Sequence, residues 1–344
     1  MIKIEAKRIP FFFFIFIVVL IISTFGKKLT DRFDRFNKDD EYELIRKYLL
    51  NDSSFGNNKP KLWIHSKFMN RSQVWKSNET ASSTELEHPY INLTVETVVE
   101  CCHNDFNICL IDDDSFSKLI PEWDSEINSL PDPHKKNHRD LGMATLLYIY
   151  GGVIVPNSFV CLKSLKQLYE ENTSSSKPFV GEFVNNKSIT MKNNKRLSFI
   201  PDSTLLIGAK KNDIVIKEMV EYHKKNAYDP HFSTEHDFKG KSNEWCLNMI
   251  KLNRIIMIEG QNIGTKTYDT KPILLEDLME DKPLSLHPDC VGVYIPHDEM
   301  LKRTKYQWFT VSSIEDVITS KTAIAKYLEF SKHYRPAIQK NVSI

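Results

Sequence analysis

The chain has 344 residues, of which 41% are hydrophobic and 11% aromatic, and its formal net charge is +1. That much apolar material suffices for a large buried core, and only 11 glycines argue against flexible low-complexity tracts. Balanced acids and bases argue against a nucleic-acid partner and against a disordered acidic tail.

Taken from the N-terminus, Lys3, Lys7 and Arg8 precede an unbroken apolar run from Phe11 to Ile22, which Ser23, Thr24, Phe25 and Gly26 extend to Lys27 and Lys28. As a helix, Phe11 to Phe25 spans roughly 22 Å. That is short of a ~30 Å hydrocarbon core, but thinner membranes of the early secretory route accept shorter spans. The run is apolar on every face, which fits a core helix badly. Residues 11–26 therefore read as a signal anchor behind a short tail at 1–10. A cleaved signal peptide is the rival, although Thr24-Phe25-Gly26 is a poor cleavage site. The first reading predicts a single-pass membrane protein with a lumenal C-terminal domain, and the second a secreted one. Seven Asn-x-Ser/Thr sequons, starting at Asn51, Asn70, Asn78, Asn92, Asn172, Asn186 and Asn341, agree with a lumenal location. The six cysteines have no zinc-site spacing. An oxidising lumen would permit disulfides, and scattered core thiols are the plainer alternative.

Residues 27–58 are charged and polar and read as a stem, with Tyr42, Ile45 and Leu49 on one face of a short helix. The globular part covers 59–344. Lys61 to His65 and Phe106 to Ile111 read as buried strands, the second ending in Asp112-Asp113-Asp114. A short helix with Ser115 or Asp114 as N-cap follows, closed by Pro121. A longer helix runs from about Asn137 to Tyr150, is broken by Gly151-Gly152, and hands over to a strand at Val153–Val155. Strands are expected at 178–180, within 199–208, at 255–258 and at 291–295, with helices over 213–225 and 243–252. Ser312-x-x-Glu315 has the pattern of a capping box. The alternation predicts an α/β fold with a mostly parallel sheet covered on both faces by helices.

The block from Asn137 to Ser158 resembles the glycosyltransferases with a DXD sugar-binding motif, the group that includes fungal initiating mannosyltransferases and capsular polysaccharide synthesis enzymes. Their pattern is Asp-x-x-Arg-Tyr, then Leu-Tyr-x-Tyr-Gly-Gly, then a strand ending Asp-x-Asp. Asp140 stands at the family Asp, and Leu147-Tyr148-Ile149-Tyr150-Gly151-Gly152 fits closely. The likeness runs more weakly from the first strand, with Trp63, to about Ala209. It implies a GT-A-like nucleotide-binding sheet and transfer of a hexose from a nucleotide diphosphate sugar to a glycan or glycoprotein acceptor. Two departures stand out. Met143 occupies the Arg position, and Pro156 and Ser158 occupy the two metal-binding acids, which in the family hold a divalent ion (Mn²⁺ or Mg²⁺) on the diphosphate.

The resemblance implies a donor site at Asp140, Gly151, Gly152, Pro156 and Ser158. Asp140 has a second reading as an N3 carboxylate behind an Asn137 cap. Asp112 and Asp114 are an alternative metal pair at a strand end, where ligands bind in such sheets, with helix capping as the competing account. His236 and Asp237 are further metal candidates, with a solvated loop as the competing reading. Lys210, Lys211 and Arg139 are candidate cations for a diphosphate, against ordinary surface exposure. Three readings of function remain open: a transferase, a nucleotide-sugar or carbohydrate-binding module without turnover, and a metal-dependent hydrolase built on Asp112–Asp114. No Ser/His/Asp hydrolase motif or Gly-x-x-x-x-Gly-Lys loop is present.

Overall fold

The fold was obtained as a computed structural model that describes residues 59–66, 88–131, 134–183, 200–201, 206–228 and 245–333. The expected anchor at 11–26, the stem at 27–58 and the pair His236 and Asp237 lie outside these residues. Among the described residues no helix is long and apolar enough to cross a membrane.

β1 (Lys61–His65) is a continuous apolar run with Leu62, Trp63 and Ile64 buried, as a strand covered on both faces requires. Helix α1 (Pro89–Cys102) follows, with Pro89 at a position where its missing N–H costs nothing. It buries Tyr90, Leu93, Thr94, Thr97, Val98 and Cys102. β2 (Asn107–Ile111) leads into the short α2 (Ser115–Leu119) and then α3 (His134–Tyr150). β3 (Gly152–Ile154) and β4 (Phe159–Cys161) come next, followed by α4 (Lys166–Thr173). β5 (Phe179–Phe183), β6 (Ile200–Pro201) and β7 (Ile207–Ala209) precede α5 (Ile214–Tyr228). After α6 (245–251) come β8 (Ile256–Ile258), α7 (Leu275–Met279) and β9 (Gly292–Tyr294). The described chain closes with α8 (His297–Lys302), α9 (Gln307–Val311), α10 (Ile314–Thr319) and α11 (Ala323–His333).

The main sheet has the order β2-β1-β3-β7-β5-β6, with β8 paired to β5. β1 is parallel to β2 and β3, and β5 is parallel to β8, but β7 runs antiparallel between β3 and β5. The sheet is therefore mixed, where alternation of elements alone predicts a mostly parallel one. β4 and β9 form a separate antiparallel pair, with Phe159 opposite Tyr294. α3 packs along α5 and against β3 and β7, while α1 lies on β4 and meets α9, α10 and α11.

The hand-over from α3 to β3 is set by two glycines. Gly151 and Gly152 have φ of 68° and 105°. A Cβ on Gly152 would stand 2.0 Å from the Lys61 carbonyl oxygen, so β1 and β3 approach here only without a side chain. The Trp63 indole N–H donates to the Gly151 carbonyl at 2.9 Å and pins the turn to β1.

Two expected boundaries move. α3 starts at His134 rather than Asn137, which is buried inside the helix. The C-terminal cap is one residue later than the box at Ser312 and Glu315: the Ser313 hydroxyl accepts the Asp316 N–H at 3.1 Å.

Candidate functional site

β1, β2 and β3 point the same way, so their carboxyl ends share one edge of the sheet. The Ser66 N–H donates to Ile111 O at 2.9 Å, and the Val155 N–H donates to Trp63 O at 2.9 Å. His65, the Asp112-Asp113 turn and Pro156 thus emerge side by side. β5 and β8 have the same direction and bring Glu182 and Gly260 to that edge. In open α/β sheets the crevice outside such strand ends is the usual ligand position.

The three acids after β2 divide their tasks. Asp112 accepts the Ser115 backbone N–H at 2.9 Å and the Ser115 hydroxyl at 2.6 Å, closing the turn into α2. Asp114 accepts from Asn128 Nδ2 at 2.8 Å. Asp113, the middle residue, carries the long-range contacts. Arg139 donates to both its oxygens, Nε to Oδ1 at 2.7 Å and an Nη to Oδ2 at 2.5 Å, and His65 Nε2 lies 3.0 Å from Oδ1. The His65 ring stacks on Phe116 with centroids 5.7 Å apart. Burial alone would raise the Asp113 carboxyl, but the Arg139 and His65 hydrogen bonds outweigh it and hold the group well below the usual carboxylate range.

The contact to Asp113 brings the first half of α3 toward the rim, and Asp140, the next residue along the helix, is half-buried. Because α3 begins at His134, Asp140 belongs to the second turn and is not an N3 cap residue. Pro156 is level with His65 and half-buried, and the Asn157 carbonyl accepts the Thr94 hydroxyl at 2.5 Å. Ser158 is buried, and its carbonyl accepts the Ile295 N–H at 3.0 Å as the chain enters β4. Gly151 and Gly152 open β3 at the edge away from the rim, ~13 Å of strand before Pro156. Their part is to shape the backbone. Lys210 and Lys211 follow the end of the reversed strand β7, beside Gly151, so they too lie at the far edge and not at the rim.

Two groups near the rim carry no sequence signature. One is aromatic: the Tyr90 hydroxyl hydrogen-bonds His297 Nδ1, the His88 ring meets the His297 ring edge-on at 4.8 Å, and His88 Nδ1 bonds the Thr310 carbonyl at 3.0 Å. Burial, then the neighbouring His88, pull the His297 pKa down to about 4, against Asp298. Asp298 lies 4.0 Å from Lys136 of α3. The other is a buried ion pair at the end of β5. Glu182 is 2% exposed, pairs with Lys266, and accepts the Gly260 N–H at 2.8 Å.

The described residues do not fit a divalent cation. Pro156 and Ser158 offer no carboxylate, Asp112 and Asp114 are used by Ser115 and Asn128, and Asp113 is neutralised by Arg139. Among the described residues no three His, Cys, Asp or Glu side chains gather as a metal site would need.

No protein-family model matches the chain. No curated protein matches it. Solved structures with some overlap include the glycosyltransferase GlyE of Streptococcus pneumoniae, at TM-score 0.34 and 9% identity over 60% of this chain and 46% of GlyE. The PaToxG glycosyltransferase overlaps at TM-score 0.31 and 11% identity, over 64% of this chain and 80% of its own. The galactosyltransferase LgtC, bound to donor and acceptor sugar analogues, overlaps at TM-score 0.29 and 9% identity, over 58% of this chain and 74% of LgtC. Overlap at this level identifies no family and carries no further argument.

Proposed function

We propose that the chain is a glycosyltransferase of GT-A type that takes a hexose from a nucleotide diphosphate sugar to a glycan or glycoprotein acceptor. One observation supports the reading: the carboxyl ends of β1, β2 and β3 meet the first half of α3 where Arg139 pairs with Asp113, one residue before Asp140. In this reading Asp140 accepts hydroxyls of the donor sugar or ribose. The backbone from Val155 to Asn157 flanks the diphosphate, and the Arg139–Asp113 pair borders it. His65 holds Asp113 from the other side. A divalent cation, Mn²⁺ or Mg²⁺, would offset charge on the departing diphosphate in this class of reaction. The described residues do not form its site, and His236 and Asp237 are the ligands to test. A lumenal domain behind an anchor at 11–26 is part of the same proposal.

A binding module without turnover is the second reading, favoured by Pro156 and Ser158 in place of carboxylates. The hydrolase reading loses its support because, among the described residues, no three His, Cys, Asp or Glu side chains gather around Asp112 and Asp114. The test is release of nucleoside diphosphate from a panel of nucleotide sugars by the full-length chain, with and without Mn²⁺. Turnover of a donor, reduced at least about tenfold in Asp140→Asn, is the expected outcome. Donor binding without release would favour the module, and neither binding nor release would end both.

A further inference from the structure

Away from the rim, three sulfurs gather at one end of α1. Thr94, Thr97 and Cys101 follow at spacings of three and four and so share one face of the helix. That face lies on the strand after the rim. The Thr94 hydroxyl donates to the Asn157 carbonyl at 2.5 Å, and the Thr97 hydroxyl accepts the Cys161 N–H at 2.8 Å. The next turn therefore carries Cys101 toward the Cys161 side chain. The Cys161 thiol donates to the Lys163 carbonyl at 3.1 Å, with Cys101 and Cys102 beside it. Cys102 and Cys161 are buried, whereas Cys101 is half-buried and reachable from solvent. All six cysteines lie among the described residues, and all are thiols in this structure.

We propose that Cys101 and Cys161 form a redox-sensitive disulfide that ties α1 to β4, with Cys102 as a third sulfur able to exchange into it. A small-molecule disulfide such as oxidised glutathione is the oxidant. The Cys101 thiolate attacks it, breaking its S–S bond, forming a mixed disulfide and releasing one small thiol. The Cys161 sulfur then attacks the Cys101 sulfur, so the Cys101–Cys161 bond forms and the second small thiol leaves. Two protein thiols are oxidised, one small disulfide is reduced to two thiols, and the two protons leave on them. Cys101 is reachable by the small disulfide and Cys161 is buried, which assigns Cys101 the first step and Cys161 the second. A bond between the neighbours Cys101 and Cys102 would strain the helix that carries them, so the crossing to β4 is the better geometry.

The test is independent of glycosyl transfer. The full-length chain is incubated with oxidised glutathione under native conditions, quenched in acid, alkylated in denaturant, digested without reduction and mapped by mass spectrometry. A linked peptide joining Cys161 to Cys101, or to Cys102 after exchange, is expected, with Cys109, Cys246 and Cys290 alkylated. The link should vanish in the Cys101→Ser/Cys102→Ser double variant, which leaves buried Cys161 in place. Complete alkylation of Cys161 in the wild-type chain, a glutathione adduct left on Cys101, or a bond confined to Cys101 and Cys102 would overturn the proposal.

Discussion

Asp113 and Arg139 meet through two hydrogen bonds, at 2.7 and 2.5 Å, that fasten the end of β2 to the first half of α3. The Asp113 side chain is 8% exposed, so its charge depends on this partner. Removing the cation strands a desolvated carboxylate, and Arg139→Met should cost about 3 kcal/mol in urea denaturation. Asp113→Asn should cost less, because no charge is left behind. The pH dependence has a definite sign. A carboxyl lowered in the folded state adds stability that is complete above its unfolded value of about 3.9 and is lost as pH falls below it. The wild type should therefore lose stability more steeply than Asp113→Asn between about pH 4 and pH 2. Equal acid limbs for the two would refute this role.

His297 behaves in the opposite chemical sense and gives a separate window. Its folded pKa of about 4 lies below the unfolded 6.5, so the unfolded chain binds more protons between these values. Stability should fall as pH drops from about 6.5 to 4, by at most about 3 kcal/mol, and this contribution should level off below. His297→Gln should flatten that window and leave the lower Asp113 window in place. Thermal unfolding measured at half-unit steps resolves the two.

Gly152 offers a sharper test of the hand-over. With φ at 105° and the Lys61 carbonyl oxygen 2.0 Å from where an added Cβ would stand, Gly152→Ala has nowhere to relax except by parting β1 from β3. A loss of about 3 kcal/mol or more is expected from strain and clash together. Intrinsic tryptophan fluorescence, to which Trp63 contributes, should follow the same transition, because its indole is bonded to Gly151. A near-neutral Gly152→Ala would mean that the two strands do not approach as described.

Much of the core is readable from residues alone, for identifiable reasons. β1, β2 and β3 are short apolar runs ended by polar or glycine punctuation, and α5 shows Val215, Ile216 and Met219 buried at helical spacing behind Asp213, whose Oδ1 accepts the Val215 N–H at 2.8 Å. α1 is not readable in this way. Ile91, Thr94, Val95, Thr97, Val98 and Val99 are β-branched and suggest a strand, yet burial against β4 and the hydroxyl bonds of Thr94 and Thr97 overrule that preference. Asn137 resembles a helix cap because Asp140 follows it by three positions, yet it is buried inside α3. The reversal of β7 leaves no trace in hydrophobic pattern, and only that reversal explains why Lys210 and Lys211 miss the rim.

The site is legible in part for similar reasons. Asp140 stands out through its neighbours in the chain. Spacing draws attention to Asp112 and Asp114, but the residue between them is the one that reaches Arg139, and no local pattern reveals a contact made across 26 positions. Glu182 and Lys266 are further apart still, at 84 positions, and their pairing appears only once β5 and β8 lie side by side.

α1 is a strut pinned in three places: Tyr90 at His297, Thr94 at Asn157 and Thr97 at Cys161. Its ends, Tyr90 and Cys101, are about 16 Å apart along the axis. Held at these three points, the helix places its sulfur end and its tyrosine end on one rigid element, with β4 under one and the His297 imidazole at the other.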